Sequence, residues 1–108
     1  MDIYKSQEKC NKAERDYLNA KQDLMKVKNT FDFLKAKHYT LLKTEGVASG
    51  EKPTVKDIEY ALLVLQSEAS HALGKTFIEY SKKLARKEFL YVEMEIARRE
   101  YWDDKKLT

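Results

Sequence analysis

Glycine, proline and cysteine are scarce in this sequence, with three, one and one residues respectively. Glycine and proline break helices and shape turns, so their scarcity excludes turn-rich all-β folds and favours long uninterrupted helices. The single cysteine, Cys10, can close no intramolecular disulfide, which points to a reducing compartment. No window approaches the roughly 18 apolar residues of a membrane-spanning helix. The opening segment MDIYKSQEKC has no apolar run of the signal-peptide kind. The expectation is a soluble, cytoplasmic protein with no membrane contact. A dominant charge sign is also missing: 21 basic and 18 acidic residues give a formal net charge of +3. That balance permits contact with nucleic acid without arguing for it, because dedicated binders concentrate basic residues on one face.

What is present is periodicity. Ile3, Ser6, Cys10, Ala13, Tyr17, Ala20, Leu24, Val27, Phe31, Leu34, His38 and Leu41 follow one another in alternating steps of three and four. All but Ser6 and His38 are apolar, counting cysteine and tyrosine. Such a stripe is the mark of a coiled-coil-like helix, with Met25 and Leu42 widening it. A helix of about 40 residues is on the order of 60 Å long, and it needs a partner along its length to be stable.

The segment TEGVASGEKPTVKD holds two of the three glycines and the only proline. Gly46 suits the end of the first helix, where a left-handed backbone angle is required. Thr54 and Asp57 form a capping box with Asp in the place of the usual Glu. A loop over about 45–53 therefore separates a first helix, 3–45, from a short one over about 54–66. That short helix carries Ile58, Ala61, Leu62 and Leu65 on one face. Ser67 is the next N-cap candidate, predicting a break and then a long helix over about 68–105. The whole reads as a single all-α domain of 108 residues: a long antiparallel helical hairpin, coiled-coil-like, with a short helix between its arms.

The last helix carries two apolar stripes. One reads Phe77, Tyr80, Leu84, Lys87, Tyr91, Met94, Arg98, Tyr101; the other reads Ile78, Lys82, Ala85, Phe89, Val92, Ile96, Arg99. Together they make a sector wider than one antiparallel partner covers. A homodimer is the expected way to cover the rest.

Both stripes run out at ARREYWDD, residues 97–104, which contains the only tryptophan. Asp103 and Asp104 sit there at a helix C-terminus, where negative charge opposes the macrodipole. One reading is an aromatic plug closing the open end of the hairpin, with Arg98 or Arg99 paired to carboxylates near Glu8 or Asp2, and Trp102 packed on Arg98. This is the reading the continuing stripe favours. The other is a partner-docking patch of Arg99, Tyr101 and Trp102, since Trp, Tyr and Arg are the residues most enriched at interface hot spots.

The order of parts, with Thr54, Val55 and Glu59 in a T-V-x-x-x-E turn and Arg98 and Trp102 in a terminal R-x-x-x-W, resembles a group of small all-helical proteins encoded by phages and prophages, often beside replication and recombination genes. The resemblance implies the hairpin fold, the cytoplasm of a bacterial host cell, and a non-enzymatic accessory role. It implies a replication or recombination protein as partner, and it implies no established activity.

Constellations that carry catalysis are sparse. Cys10 lies on the apolar stripe, as a buried small residue would. His38 lies there too, as a half-buried histidine bonded to a tyrosine or a carboxylate, and His71 is the only other histidine. Glu93 and Glu95 are two apart and point to different helix faces. The segment EGVASGEK lacks the strand and the Lys-Ser/Thr helix start of a phosphate loop. No catalytic, cofactor or metal site is expected. Lys82, Lys83, Arg86 and Lys87 form a basic cluster, with Lys35, Lys37 and Lys43 near the end of the first helix. As a solvated face the cluster does nothing further. As a nucleic-acid site it would contact phosphates without sequence preference. If the hairpin closes antiparallel, the two basic groups would approach each other.

Overall fold

The computed structural model describes residues 2–46 and 52–107. It contains three helices, α1 (Ile3–Glu45), α2 (Val55–Ser67) and α3 (Ala72–Leu107), with no strand among the described residues. The fold is all-α, two long helices with a short one between them in the chain. Residues 47–51 of the expected loop lie outside the described residues.

Local chemistry sets the helix ends. The Tyr4 N–H donates to the Asp2 carboxylate at 2.9 Å, capping α1. At the other end, Gly46 takes φ +84° and its N–H donates to the Leu42 carbonyl at 2.9 Å. The capping box of α2 forms as the spacing predicts. The Asp57 N–H donates to Thr54 Oγ1 at 3.2 Å, and the Thr54 N–H donates to Asp57 Oδ2 at 3.0 Å. These bonds from Thr54 hold the Asp57 carboxyl below its ordinary pKa.

The junction of α2 and α3 differs from expectation. Ser67 does not open the last helix; its hydroxyl donates back to the Val64 carbonyl at 2.7 Å and so closes α2. Helix α3 begins at Ala72 rather than near 68. Its N-cap is His71, whose carbonyl accepts from the Lys75 N–H at 2.9 Å and whose Nδ1 accepts from the Leu73 N–H at 3.0 Å. The turn over 68–71 folds tightly against the first turn of α3. A Cβ on Gly74 would lie 1.8 Å from the Glu68 carbonyl oxygen, so this position has room only for glycine.

The chain forms two compact units, one from Lys26 to Ser81 and the other combining residues up to Met25 with those from Lys82 onward. The first, here the turn unit, has a core of Phe31, Ile58, Leu62 and Leu73. Leu34, Tyr39, Leu42, Leu65 and Phe77 pack against it. Phe31 meets Phe77 and Tyr80 with ring centroids 5.8 Å apart in each case, and His38 meets His71. Sequence number rises along α1 as it falls along α3, so the two run antiparallel, with α2 as the third wall. Burying an aliphatic or aromatic side chain of this size contributes about 1.5–3 kcal/mol.

The second, the termini unit, pairs α1 and α3 alone, again antiparallel. Its buried residues are small or polar apart from Met94: Ser6, Cys10, Ala20, Ala97 and Asp104. Polar links fix the register. The Ser6 hydroxyl donates to the buried Asp104 carboxylate. Lys9 pairs with Glu100 at 2.9 Å and Arg98 with Glu14 at 3.1 Å. Further along, Tyr17 and Tyr91 meet with ring centroids 5.5 Å apart. All of the heptad positions on α1 except Leu41 are buried or half-buried. Ser6 fits the stripe because Asp104 takes its hydroxyl. Of the two residues expected to widen the stripe, Leu42 packs into the core and Met25 is exposed.

Candidate functional site

The C-terminal segment is held firmly, but its tryptophan is more than half exposed. Asp104, near the end of α3, lies against Ser6 in the first turns of α1. There its charge faces the positive end of a helix dipole, which offsets the unfavourable position it has on its own helix. Tyr101 is half-buried. Trp102 is 55% exposed, so it is no plug. Position 101 continues the buried row of α3 and position 102 turns away from it. The cation over the Trp102 ring is Lys105, 4.9 Å from the centroid, and not Arg98. Tyr101 and Trp102 meet edge to face at 6.2 Å.

Arg98 reaches Glu14 on α1 and Glu95 on its own helix, at 3.1 and 3.2 Å, rather than Glu8 or Asp2. The hydrogen bond that Arg98 donates to Glu14, with the Glu95 carboxylate beside it, raises the pKa of the guanidinium further. Arg99 is exposed. A cleft of about 250 Å³ runs beside these residues, lined by Gln7, Cys10, Asn11, Glu14, Arg98, Tyr101 and Trp102. Cys10 is buried at its base, its thiol 3.6 Å from a Glu14 oxygen. Burial first, and then the Glu14 carboxylate, raises the thiol's pKa. A thiol held protonated is a poor nucleophile.

The basic cluster is split. Lys82 and Arg86 are exposed, while Lys83 and Lys87 are half-buried on the side facing α1. Arg86 is also one of the cations, after the hydrogen-bonded Lys12 and then Arg15, that lower the pKa of Asp16. Part of its field is therefore spent within the protein. Lys35, Lys37 and Lys43 belong to the turn unit and the 82–87 cluster to the termini unit.

The two stripes of the last helix separate cleanly. The row containing Phe77, Tyr80, Leu84, Met94 and Tyr101 is buried or half-buried; of its other members Arg98 is open, and Tyr91 is open with its ring tilted against that of Tyr17. The second row, with Ile78, Phe89, Val92 and Ile96, is exposed throughout. One antiparallel neighbour covers one row, as the width of the sector requires.

The turn unit has its own groove, about 630 Å³, between α1 and α2, with Ala36, Tyr39, Leu62 and Leu63 among its walls and Asp32, Lys35 and Glu59 at its edge. Neither this groove nor the imidazole pair of His38 and His71 was visible from sequence spacing. The rings lie 4.7 Å apart, edge to face. His38 thus neighbours a histidine rather than a tyrosine or carboxylate. Burial, then His71 and Lys37, lower its pKa. Among the described residues no group of three or more His, Cys, Asp or Glu is placed to hold a metal ion. Nor is any helix long and apolar enough to cross a membrane. No family model matches this chain, and no similar curated protein or solved structure was found.

Proposed function

We propose that this protein is a non-enzymatic interaction protein that docks another protein through Arg99, Tyr101 and Trp102 and acts as a homodimer. The observation that carries the reading is the exposure of Trp102 on a helix end otherwise clamped to α1 by Ser6, Lys9 and Glu14. A large ring on a fixed platform loses little conformational freedom when it binds, so more of its contact energy is retained as affinity. The exposed second row of α3 supports self-association in addition. The sequence resemblance to the phage-encoded group suggests a replication or recombination protein as the docked partner, in the cytoplasm of the bacterial host.

A photo-crosslinking residue at Arg99 tests the docking patch in intact cells. The same protein should be captured reproducibly, and the capture should vanish with Trp102→Ala while the melting temperature stays put. Capture that survives Trp102→Ala would remove the patch.

Direct nucleic-acid binding is the second reading, favoured by the exposure of Lys82 and Arg86 one turn apart. Its contacts would be to phosphates, so affinity for DNA or RNA should fall steeply with salt. Replacing Lys82, Lys83, Arg86 and Lys87 by Glu should abolish it. Absence of binding by the unmodified protein at low salt would end this reading.

A further inference from the structure

The outward row of α3 contains a short heptad seam inside the termini unit. Ala85, Phe89, Val92 and Ile96 follow in steps of four, three and four. Phe89 is 61% exposed, and Val92 and Ile96 are also open. Lys82 and Arg99 bound the seam at its two ends. We propose that this seam packs antiparallel against the same seam of a second copy of the chain, about a twofold axis near Leu90 and Tyr91. The proposal rests on the homodimer of the preceding reading and specifies its geometry.

Two observations favour the antiparallel arrangement. The first is size. Antiparallel packing sets Phe89 against Val92 of the other copy and Ala85 against Ile96, each contact made twice, as an isologous interface requires. Large residues then meet smaller ones. Parallel packing would set Phe89 on Phe89 and leave a gap where Ala85 meets Ala85. The second is charge on the flanks of the seam. Antiparallel packing brings Arg86 beside Glu93 of the other copy, twice. It also brings Glu88 beside Glu95, but Glu95 already accepts a hydrogen bond from Arg98 at 3.2 Å. Parallel packing would bring Glu88 beside Glu93, twice, with no Arg86–Glu93 pair formed; the approach of Glu95 to Glu100 that it also makes counts little, because Glu95 accepts from Arg98 and Glu100 pairs with Lys9 at 2.9 Å. At the ends of the seam Lys82 meets Arg99, whose stems can cover apolar surface while their heads turn to water. That stops the seam there and keeps the dimer weak and concentration-dependent.

Sedimentation of the full chain over a wide concentration range tests this, with far-ultraviolet dichroism and melting as checks on the fold. The wild type should rise from monomer to dimer mass with concentration, and Phe89→Glu should abolish the rise while helicity is kept. Arg86→Glu and Glu93→Arg should each weaken the dimer, on the order of tenfold, because an attraction made twice becomes a repulsion made twice. The double variant should recover it. Glu93→Arg is decisive on direction: in a parallel dimer it would face Glu88 and strengthen association instead. Strengthening by Glu93→Arg, failure of the double variant to recover, or a dimer indifferent to Phe89→Glu would each overturn the proposal. A wild type monomeric throughout would overturn it together with the homodimer. The Trp102 patch would still be decided by its own crosslinking experiment.

Discussion

In the turn unit, Phe31, Ile58, Leu62 and Leu73 meet at one place because three helices surround it. In the termini unit only two helices meet, and the buried positions hold Ser6, Cys10, Ala20, Ala97 and Asp104, with Met94 the one large side chain among them. Two helices enclose a line of contact and cannot enclose a volume. Small residues let the backbones approach along that line, and the large ones are left outside: Leu18, Phe89, Val92, Ile96 and Trp102 are all exposed there. Large apolar residues hold the helices together in one unit, and polar links set their alignment in the other. An apolar contact tolerates a shift of the helices, whereas Ser6–Asp104, Lys9–Glu100 and Arg98–Glu14 each need one particular alignment. The exposed ion pairs among them contribute little net stability, and their value lies in specifying that alignment.

The contrast can be broken at several points. Leu73, fully buried in the turn unit, should be the most costly position. Leu73→Ala is expected to lose about 2–5 kcal/mol, by transfer and cavity terms together, and chemical denaturation would measure it. If the loss is small, the core is not where the structure puts it. In the termini unit, Ser6→Ala leaves the buried Asp104 carboxylate without its hydroxyl donor. The expected loss is about 1–3 kcal/mol, the cost of an unmatched buried polar group. Ser6→Ala combined with Asp104→Leu should recover much of it, and a double variant no better than the single would contradict the pairing.

Acid should act on the turn unit first. Burial and the neighbouring His71 and Lys37 lower the pKa of His38 in the folded chain, so the unfolded chain takes up the proton more readily. The stability contributed is therefore complete above the ordinary histidine range, near pH 6.5. It is lost as pH falls from there through the lowered folded value. Melting temperature followed from pH 8 to 5 should drop, and His38→Phe should flatten part of the drop. An identical pH profile in that variant would contradict the role assigned to His38.

Much of the fold was legible in the sequence. The steps of three and four from Ile3 onward are a direct image of the face that packs, Gly46 and Thr54 mark helix ends by backbone geometry, and the two rows of α3 announce a sector that one neighbour cannot cover. The junction at 67–71 was not legible. Serine is the commoner N-cap, and only three-dimensional placement shows Ser67 bonding backward and His71 bonding forward. The constraint on Gly74 comes from the Glu68 carbonyl folded over it, which spacing along the chain does not reveal. At the candidate site, residue type singled out Arg99, Tyr101 and Trp102, but periodicity misjudged Trp102. A stripe predicts which positions face the partner while both helices continue; Tyr101 keeps to the buried row, and its neighbour Trp102 lies outside it. The charged groups that meet across the helices were also out of reach, because pairing Arg98 with Glu14 requires the register of the hairpin.

The most direct test of the outside placement of large residues in the termini unit uses the chain's single tryptophan. Its fluorescence reports on Trp102 alone. At low protein concentration, the emission should be red-shifted and readily quenched by acrylamide. Trp102→Ala should change unfolding free energy by no more than roughly 0.5 kcal/mol, as at ordinary surface positions. Blue-shifted, protected emission together with a loss of about 3 kcal/mol, in the range of a truncated core aromatic, would show that the ring is packed inside and that the docking patch does not exist.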